Sequence, residues 1–262
     1  MGHVTQASAA PSDTNKMTVS MWVNTDDQTQ PFLMEFGPIV GTADSSFYPS
    51  TIFAVASSST LEVHVTSQVD GASGSNPDNG AFTGTGGVFA IFSAMPNFTN
   101  AWAHLLIAVD ITDPASPIVT AMANKVLLSQ SSLQSRVDAD TGAIANYDVI
   151  AGNAQGNTVS PWLMGVAGQP FCIPAQDDDQ SVNPRIRYAE VQVWFGQYID
   201  PSLGIANFVN GSGKPVAHAV AQAAYGPSDY LLSGNHTGFI VNTGTAGAVT
   251  GAGTINDFSP GP

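Results

Sequence analysis

The sequence predicts an all-β protein, built either as a sandwich or as a barrel. Short runs rich in Val, Ile, Leu and aromatic residues recur along the chain. Clusters of Gly, Pro, Asn, Asp and Ser, such as those at 70–80 and 151–157, separate nearly all of these runs and supply the backbone conformations of turns. Many short strands punctuated in this way are typical of sandwiches and barrels.

The first strand is predicted from Met17 to Asn24, where side-chain character alternates with the two-residue period of a strand. The period divides the run into two faces, with Val19, Met21 and Val23 on one and Thr18, Ser20 and Trp22 on the other. We therefore expect this strand to lie between two layers. The further predicted strands are 51–56, 61–67, 88–94, 104–111, 118–123, 126–129, 162–167 and 187–195.

Two stretches interrupt the strand pattern late in the chain. Residues 201–208 and the alanine-rich run 216–225 are predicted to form short helical turns. We expect them to cap the sandwich rather than to form its core.

The chain is predicted to divide into an N-terminal arm at 1–16, a β-sandwich domain at 17–225 and a Gly- and Thr-rich C-terminal arm at 226–262. The C-terminal arm is either a flexible terminus or an extended segment that pairs with the edge strand of a neighbouring subunit. We favour pairing, because the arm contains residues suited to strands: Ile240, Val241, Val249 and Ile255. The N-terminus lacks the basic and apolar regions of a secretory signal, so we interpret it as an ordered arm or a disordered lead-in.

Composition excludes two classes of partner. Six Lys and Arg against twenty Asp and Glu give a net charge of −14 at pH 7, which opposes the phosphate neutralisation that nucleic-acid binding needs. The same charge repels anionic membranes, and the longest apolar runs, such as 105–109, fall far short of the ~20 residues that span a bilayer. With one cysteine, Cys172, the chain can form no internal disulfide, so packing and association must supply its stability.

Three segments together carry a resemblance to a known family. They are the first strand with Trp22, the run at 100–111 with Trp102 and His104, and the run at 187–200 with Glu190 and Trp194. In their order and spacing they resemble the concanavalin A-like (laminin G-like) jelly-roll domain family. The stretches at 196–216 and 231–254 are similar to the C-terminal part of such domains in bacteriophage virion structural proteins, and this second similarity is what implies a virion. The resemblance implies a two-sheet jelly-roll sandwich with extended arms, and a hairpin tip at 124–125.

Hydrolytic chemistry finds no support in the sequence. Glycosidases need two carboxylates that flank the scissile bond, and the laminarinase-type relatives of this fold carry them as E-x-D-x-x-E. None of the three glutamates, Glu35, Glu62 and Glu190, lies in that motif. We interpret Glu190 as a partner of Arg185, of Arg187 or of backbone amides. No G-x-S-x-G elbow accompanies His104, and the five histidines lack zinc-ligand spacing. We therefore expect no enzyme activity.

Two kinds of binding site are possible. The acidic run Asp177, Asp178 and Asp179 offers oxygen ligands for Ca²⁺, although three acids in a loop more often form a solvated turn. A glycan would stack on exposed aromatic rings, and the candidates are Phe47, Tyr48, Trp162 and Tyr198. Each of these rings could instead be part of the core.

The function predicted from these observations is that of a non-enzymatic bacteriophage structural protein located in the virion. We expect a capsid decoration or appendage protein that binds other virion proteins of the capsid or tail through its arms, as a homo-oligomer. The alternative is a tail fibre or spike module that binds host polysaccharide. A third class, a secreted glycan-active enzyme, requires paired carboxylates in a cleft.

Overall fold

The computed structural model describes residues 3–5, 15–25, 32–36, 51–57, 59–66, 87–112, 117–136, 171–172, 186–233, 243–245 and 250–252. Its strands are β1 (His3–Thr5), β2 (Lys16–Thr25), β3 (Phe32–Phe36), β4 (Thr51–Ser57), β5 (Thr60–Thr66), β6 (Gly87–Ser93), β7 (Ala103–Asp110), β8 (Ile118–Ala123), β9 (Val126–Leu127), β10 (Ser129–Arg136), β11 (Phe171–Cys172), β12 (Ile186–Phe195), β13 (Tyr230–Leu232) and β14 (Thr250–Ala252). Two short helices follow β12, and they are α1 (Pro201–Gly204) and α2 (His218–Tyr225), with a 3-10 turn at Ile205–Asn207 between them.

Twelve of these strands form two antiparallel sheets of six. The first sheet has the order β10-β6-β5-β4-β3-β11, and the second has the order β13-β12-β2-β7-β8-β9. One cluster of buried apolar side chains joins them, with Val63 and Phe92 from the first sheet packed together with Val19 and Ile107 from the second. These two packed sheets confirm the predicted all-β, two-sheet jelly-roll sandwich.

The central strands of the second sheet, β2 and β7, are buried on both faces. In β2 the predicted alternation is confirmed, because Val19 and Met21 face the main core while Trp22 belongs to a second apolar cluster on the outer face. Phe208 and Ala221, from the 3-10 turn's C-terminal end and from α2, complete that second cluster. The predicted helical turns therefore form a third layer over the second sheet.

The strand predictions agree with the structure where side chains alternate. The runs at 51–56, 61–67, 88–94, 104–111, 118–123 and 187–195 match β4 to β8 and β12. The predicted strand 126–129 ends early, because β9 stops at Leu127 and the chain crosses to the first sheet as β10. Strands β3, β10 and β13 lacked a recognisable alternation and were not predicted. The predicted strand 162–167 lies outside the described residues.

Two local features fix the geometry of the second sheet. The β8–β9 hairpin turns at Asn124 and Lys125, whose φ angles of 46° and 70° suit the two-residue turn that follows strand twist. In β12 a bulge between Ala189 and Gln192 places Glu190 at a φ of 47°. Tyr188, before the bulge, donates a hydrogen bond from its hydroxyl to the Leu33 carbonyl of the first sheet.

The chain's own termini meet in a small ladder, because β1 pairs antiparallel with β14. Residues 243–245 run beside β13, where the Thr243 amide donates to the Leu231 carbonyl at 3.2 Å. Gly244 fits closely there, since a Cβ would lie 2.4 Å from the Asp229 carbonyl oxygen. The arm residues Ile240, Val241, Val249 and Ile255 lie outside the described part of the chain, so their pairing with a neighbour stays a prediction.

Candidate functional site

The helical layer is anchored to the second sheet at both ends. At its start, the buried Thr18 hydroxyl donates to the Gln197 carbonyl and accepts from the Ile199 amide, each at 2.9 Å. At its end, the Trp194 indole donates to the Gly226 carbonyl at 3.1 Å. Helix formation starts at Asp200, whose carboxylate caps the Ser202 amide at 2.8 Å. The layer is therefore a fixed cover rather than a lid.

A Ser-His pair lies under this cover. The Ser20 hydroxyl and the His104 Nε2 are 2.9 Å apart, and the His104 ring packs against Trp22 and Phe208. Both side chains are almost fully buried, and burial lowers the pKa of His104 to about 3. The His104 Nδ1 has no hydrogen-bond partner, so no carboxylate orients the ring. A substrate has no access to this pair, and its role is structural.

Glu190, at the bulge of β12, faces the first residue of α2. Its Oε2 lies 3.8 Å from the His218 Nδ1, and burial raises the pKa of this carboxyl while His218 lowers it. The expected pairing with Arg187 is not what the structure shows, because that guanidinium donates to the Asn24 side chain at 2.8 Å. Arg185 lies outside the described residues. Glu190 therefore connects the bulge to the helical layer.

Tyr198 is the one glycan-binding candidate within the described residues. Its hydroxyl shares a 2.8 Å hydrogen bond with the Thr120 hydroxyl of β8, and burial raises its pKa. The residue is half-buried. Phe47, Tyr48 and Trp162 lie outside the described part of the chain, so this glycan site stays a prediction.

The calcium prediction stays untested, because Asp177, Asp178 and Asp179 lie outside the described residues. Among the residues that are described, no three His, Cys, Asp or Glu side chains come together as a metal site. Nor is any helix in this part of the chain long and apolar enough to cross a membrane.

Four of the six large apolar side chains that are exposed in the described residues lie in one continuous stretch of the chain, where the edges of both sheets meet. Strand β9 is the last strand of the second sheet, β10 is the first strand of the first sheet, and only Leu128 separates them. We name residues 117–136, which include β8, β9 and β10, the β8–β10 side. Four large apolar side chains are exposed on it, by fractions of 50 % at Ile118, 64 % at Val126, 53 % at Leu127 and 41 % at Leu133.

Hydrogen bonds hold the backbone of the β8–β10 side in place. The Leu128 amide donates to the Ala121 carbonyl at 2.9 Å, and the Gln130 side chain donates to the Val119 carbonyl at 3.2 Å. Lys125, at the hairpin tip, donates to the Asn210 carbonyl at 3.3 Å. The exposed apolar side chains therefore project from a fixed backbone.

The charge of this side differs from that of the chain as a whole. Residues 117–136 contain Lys125 and Arg136 but neither Asp nor Glu, while the chain carries a net charge of −14. This surface was not among the sites predicted from the sequence. The residue that could have indicated this surface is Leu133, because it is a single large apolar residue in the polar run at 129–136.

No known protein-family model matches the sequence, and no curated protein matches it either. Among solved structures, a native heptameric SAP-like pentraxin from Limulus polyphemus is 13% identical with a TM-score of 0.38, covering 96% of this chain and 88% of that chain. A putative carbohydrate-binding protein from Bacteroides ovatus is 14% identical with a TM-score of 0.43, and the match covers 98% of this chain and 59% of that chain. Domains LG4-5 of the mouse laminin alpha1 chain are 10% identical with a TM-score of 0.32, and the match covers 77% of this chain and 42% of that chain. Similarities this low assign neither a family nor a function.

Proposed function

We propose that the protein is a non-enzymatic structural protein of a phage particle, of the capsid decoration or appendage type. In this proposal the β8–β10 side binds a neighbouring protein subunit. The supporting observation is the exposure of Ile118, Val126, Leu127 and Leu133 within the continuous stretch 117–136. Apolar surface yields ~25 cal/mol per Å² when it is removed from water, and large exposed apolar patches mark interaction sites.

The chemistry of the exposed side chains favours a protein partner over a sugar. In the described part of the chain, all the large apolar side chains that are exposed are aliphatic; besides the four on the β8–β10 side, they are Leu203 and Val220. Sugar sites rely on aromatic rings that stack on the pyranose face, together with converging polar groups. The buried centre of a protein interface is more apolar than the rest of the surface, so exposed aliphatic side chains are compatible with it.

The low charge of the chain supports the same proposal. Charged residues make up 10% of the sequence, and interface centres are depleted of charge. Within the β8–β10 side, only Lys125 and Arg136 carry a charge. The choice of a phage particle as the place of assembly rests on the resemblance of the stretches at 196–216 and 231–254 to phage virion domains.

Cosedimentation of the full chain with phage particles stripped of their accessory proteins tests the proposal. We expect saturable binding to the particles and no retention by immobilised host polysaccharide. Glycan binding, which the name of the Bacteroides ovatus structure ascribes to that protein, is the alternative. Retention by polysaccharide without particle binding would overturn the proposal and make Phe47, Tyr48 and Trp162 the residues to replace.

A further inference from the structure

Strand β10 is the longest edge strand in the described part of the chain. It has eight residues, whereas the other edge strands have two residues in β9 and β11 and three in β13. Residues 243–245 run along β13, and β1 lies beside β11. An edge strand presents N–H and C=O groups that can pair with another chain. Among these edges, β10 therefore offers the longest template for pairing.

Few of the usual devices against edge pairing occur in β10. The strand contains no Pro, Lys, Asp or Glu, and Arg136 is its single charged residue. A bulge lies near its start, between Gln130 and Ser132, where the Ser131 hydroxyl donates to the Ile91 carbonyl at 3.2 Å. From Ser132 to Arg136 the register with β6 is regular. These last five residues form a continuous edge.

We propose that β10 pairs antiparallel with β10 of a second copy, about a twofold axis, so that two six-stranded first sheets become continuous. This inference rests on the proposed function, because it names a second copy as one partner of the β8–β10 side. A twofold interface brings identical surfaces together, so the strand must be complementary to itself.

The sequence of β10 meets that requirement. When the twofold axis is centred on the five regular residues, Gln134 faces Gln134, Leu133 faces Ser135 and Arg136 faces Ser132. No two like charges face each other in this register, and like charges directly opposite each other destabilise a strand pair. Leu133, which is 41 % exposed in the single chain, lies next to the junction and contributes apolar surface to it.

Charge also favours contact between two copies at β10 over contact at a more acidic part of the surface. Each chain carries −14, so two copies repel each other through their carboxylates. At physiological ionic strength charges act over about 8 Å, so the charges close to the contact matter most. Strand β10 brings no carboxylate of its own to that contact.

Sedimentation equilibrium of the purified full chain measures the expected dimer. We expect twice the 27.0 kDa mass of the single chain for the wild type. Leu133→Asp should give a single-chain mass, because it places carboxylates at the junction. Val220→Asp is the matched control, since Val220 is 42 % exposed but lies in α2, and this variant should remain a dimer. Circular dichroism and thermal unfolding of each variant separate loss of association from loss of the fold.

Disulfide trapping tests the register. In a Cys172→Ser background, Gln134→Cys should form an interchain disulfide under mild oxidation, because each Gln134 faces its own copy. Leu133→Cys is the control within the same strand. Its two copies would be separated by the diagonal distance of about 7–8 Å or more between Cα atoms, which is too long for a disulfide.

Two outcomes would overturn the inference. One is a wild type that sediments as a single chain, and the other is equally efficient cross-linking of Leu133→Cys and Gln134→Cys. A single-chain wild type that still binds stripped particles would leave the proposed function intact. A dimer that binds no particles would instead refute the proposed function and leave the β10 contact standing.

Discussion

His104 shows how one residue can suggest catalysis in the sequence and have a structural role in the fold. Its place two residues after Trp102 matches the resemblance to jelly-roll domains, and Ser20 lies 2.9 Å from its Nε2. The ring is fully buried beneath Phe208, however, and its Nδ1 has no hydrogen-bond partner. A neutral imidazole fits this apolar site, whereas a protonated one would be a buried, unpaired charge.

This burial makes the stability of the protein depend on pH. The folded-state pKa of His104 is lowered from 6.5 to about 3, so between these values the unfolded chain binds a proton that the folded chain does not. Stability is therefore lost as the pH falls below about 6.5, with a slope near 1.4 kcal/mol per pH unit from this residue. At pH 4.5 the loss should reach about 3 kcal/mol.

Urea unfolding of the wild type and of His104→Gln between pH 4.5 and pH 8 isolates this contribution. His104→Gln should lower stability at pH 8, because the variant loses the packing against Trp22 and Phe208. The difference between the two proteins should narrow as the pH falls, since the glutamine cannot be protonated. A constant difference over the whole range, or an imidazole that titrates near pH 6.5 in the folded protein, would contradict the buried neutral ring.

At the scale of the element, the helical layer distinguishes the second sheet from the first. It covers the outer face of the second sheet and is held there by Thr18, Trp194 and the Glu190–His218 contact. Within α2, Ala221 is fully buried against the second apolar cluster, while Ala223 is exposed on the same helix. The two alanines form a matched pair for measuring how much the layer's packing contributes.

Ala221→Asp should destabilise the protein by about 3 kcal/mol or more, because it buries a carboxylate without a partner. Ala223→Asp should cost about 0.7 kcal/mol or less, which is the difference in helix propensity between the two residues. Chemical unfolding monitored by Trp fluorescence checks both values, since Trp22 and Trp194 lie in the same cluster. Equal losses for the two variants would show that α2 does not pack on the sheet.

The sequence predicted the elements whose burial is regular and missed those whose burial is not. Strand β2 alternates because both its faces are buried by different layers, and the short helices follow from Ala-rich composition and Pro201. Strand β10 carries mainly Ser and Gln, because an edge strand needs little apolar surface, and so it gave no periodic signal. The bulge at Glu190 also escaped prediction, since a one-residue insertion in β12 depends on its register with β2.

At the scale of the whole molecule, the features that bear on function are distributed unevenly. The central strands of the second sheet are enclosed between the main core and the helical layer, and the Ser-His pair there is buried. Of the six large aliphatic side chains that are exposed in the described residues, four lie instead on the β8–β10 side, where the two sheets meet. Leu133 was a sequence signal for this surface, but its position in the fold could not be predicted, because it depends on where the chain crosses from one sheet to the other after Leu127.

The most direct test of the account compares the double variant Val126→Asp/Leu127→Asp with the wild type in cosedimentation with stripped phage particles. The matched control is Val220→Asp/Ala223→Asp, which adds the same charge to exposed positions of α2. The account predicts that the affinity of the first variant for the particles falls at least about tenfold, a loss of about 1.4 kcal/mol in binding free energy. The control should bind with the affinity of the wild type. Undiminished binding of Val126→Asp/Leu127→Asp, with the fold intact, would contradict the account.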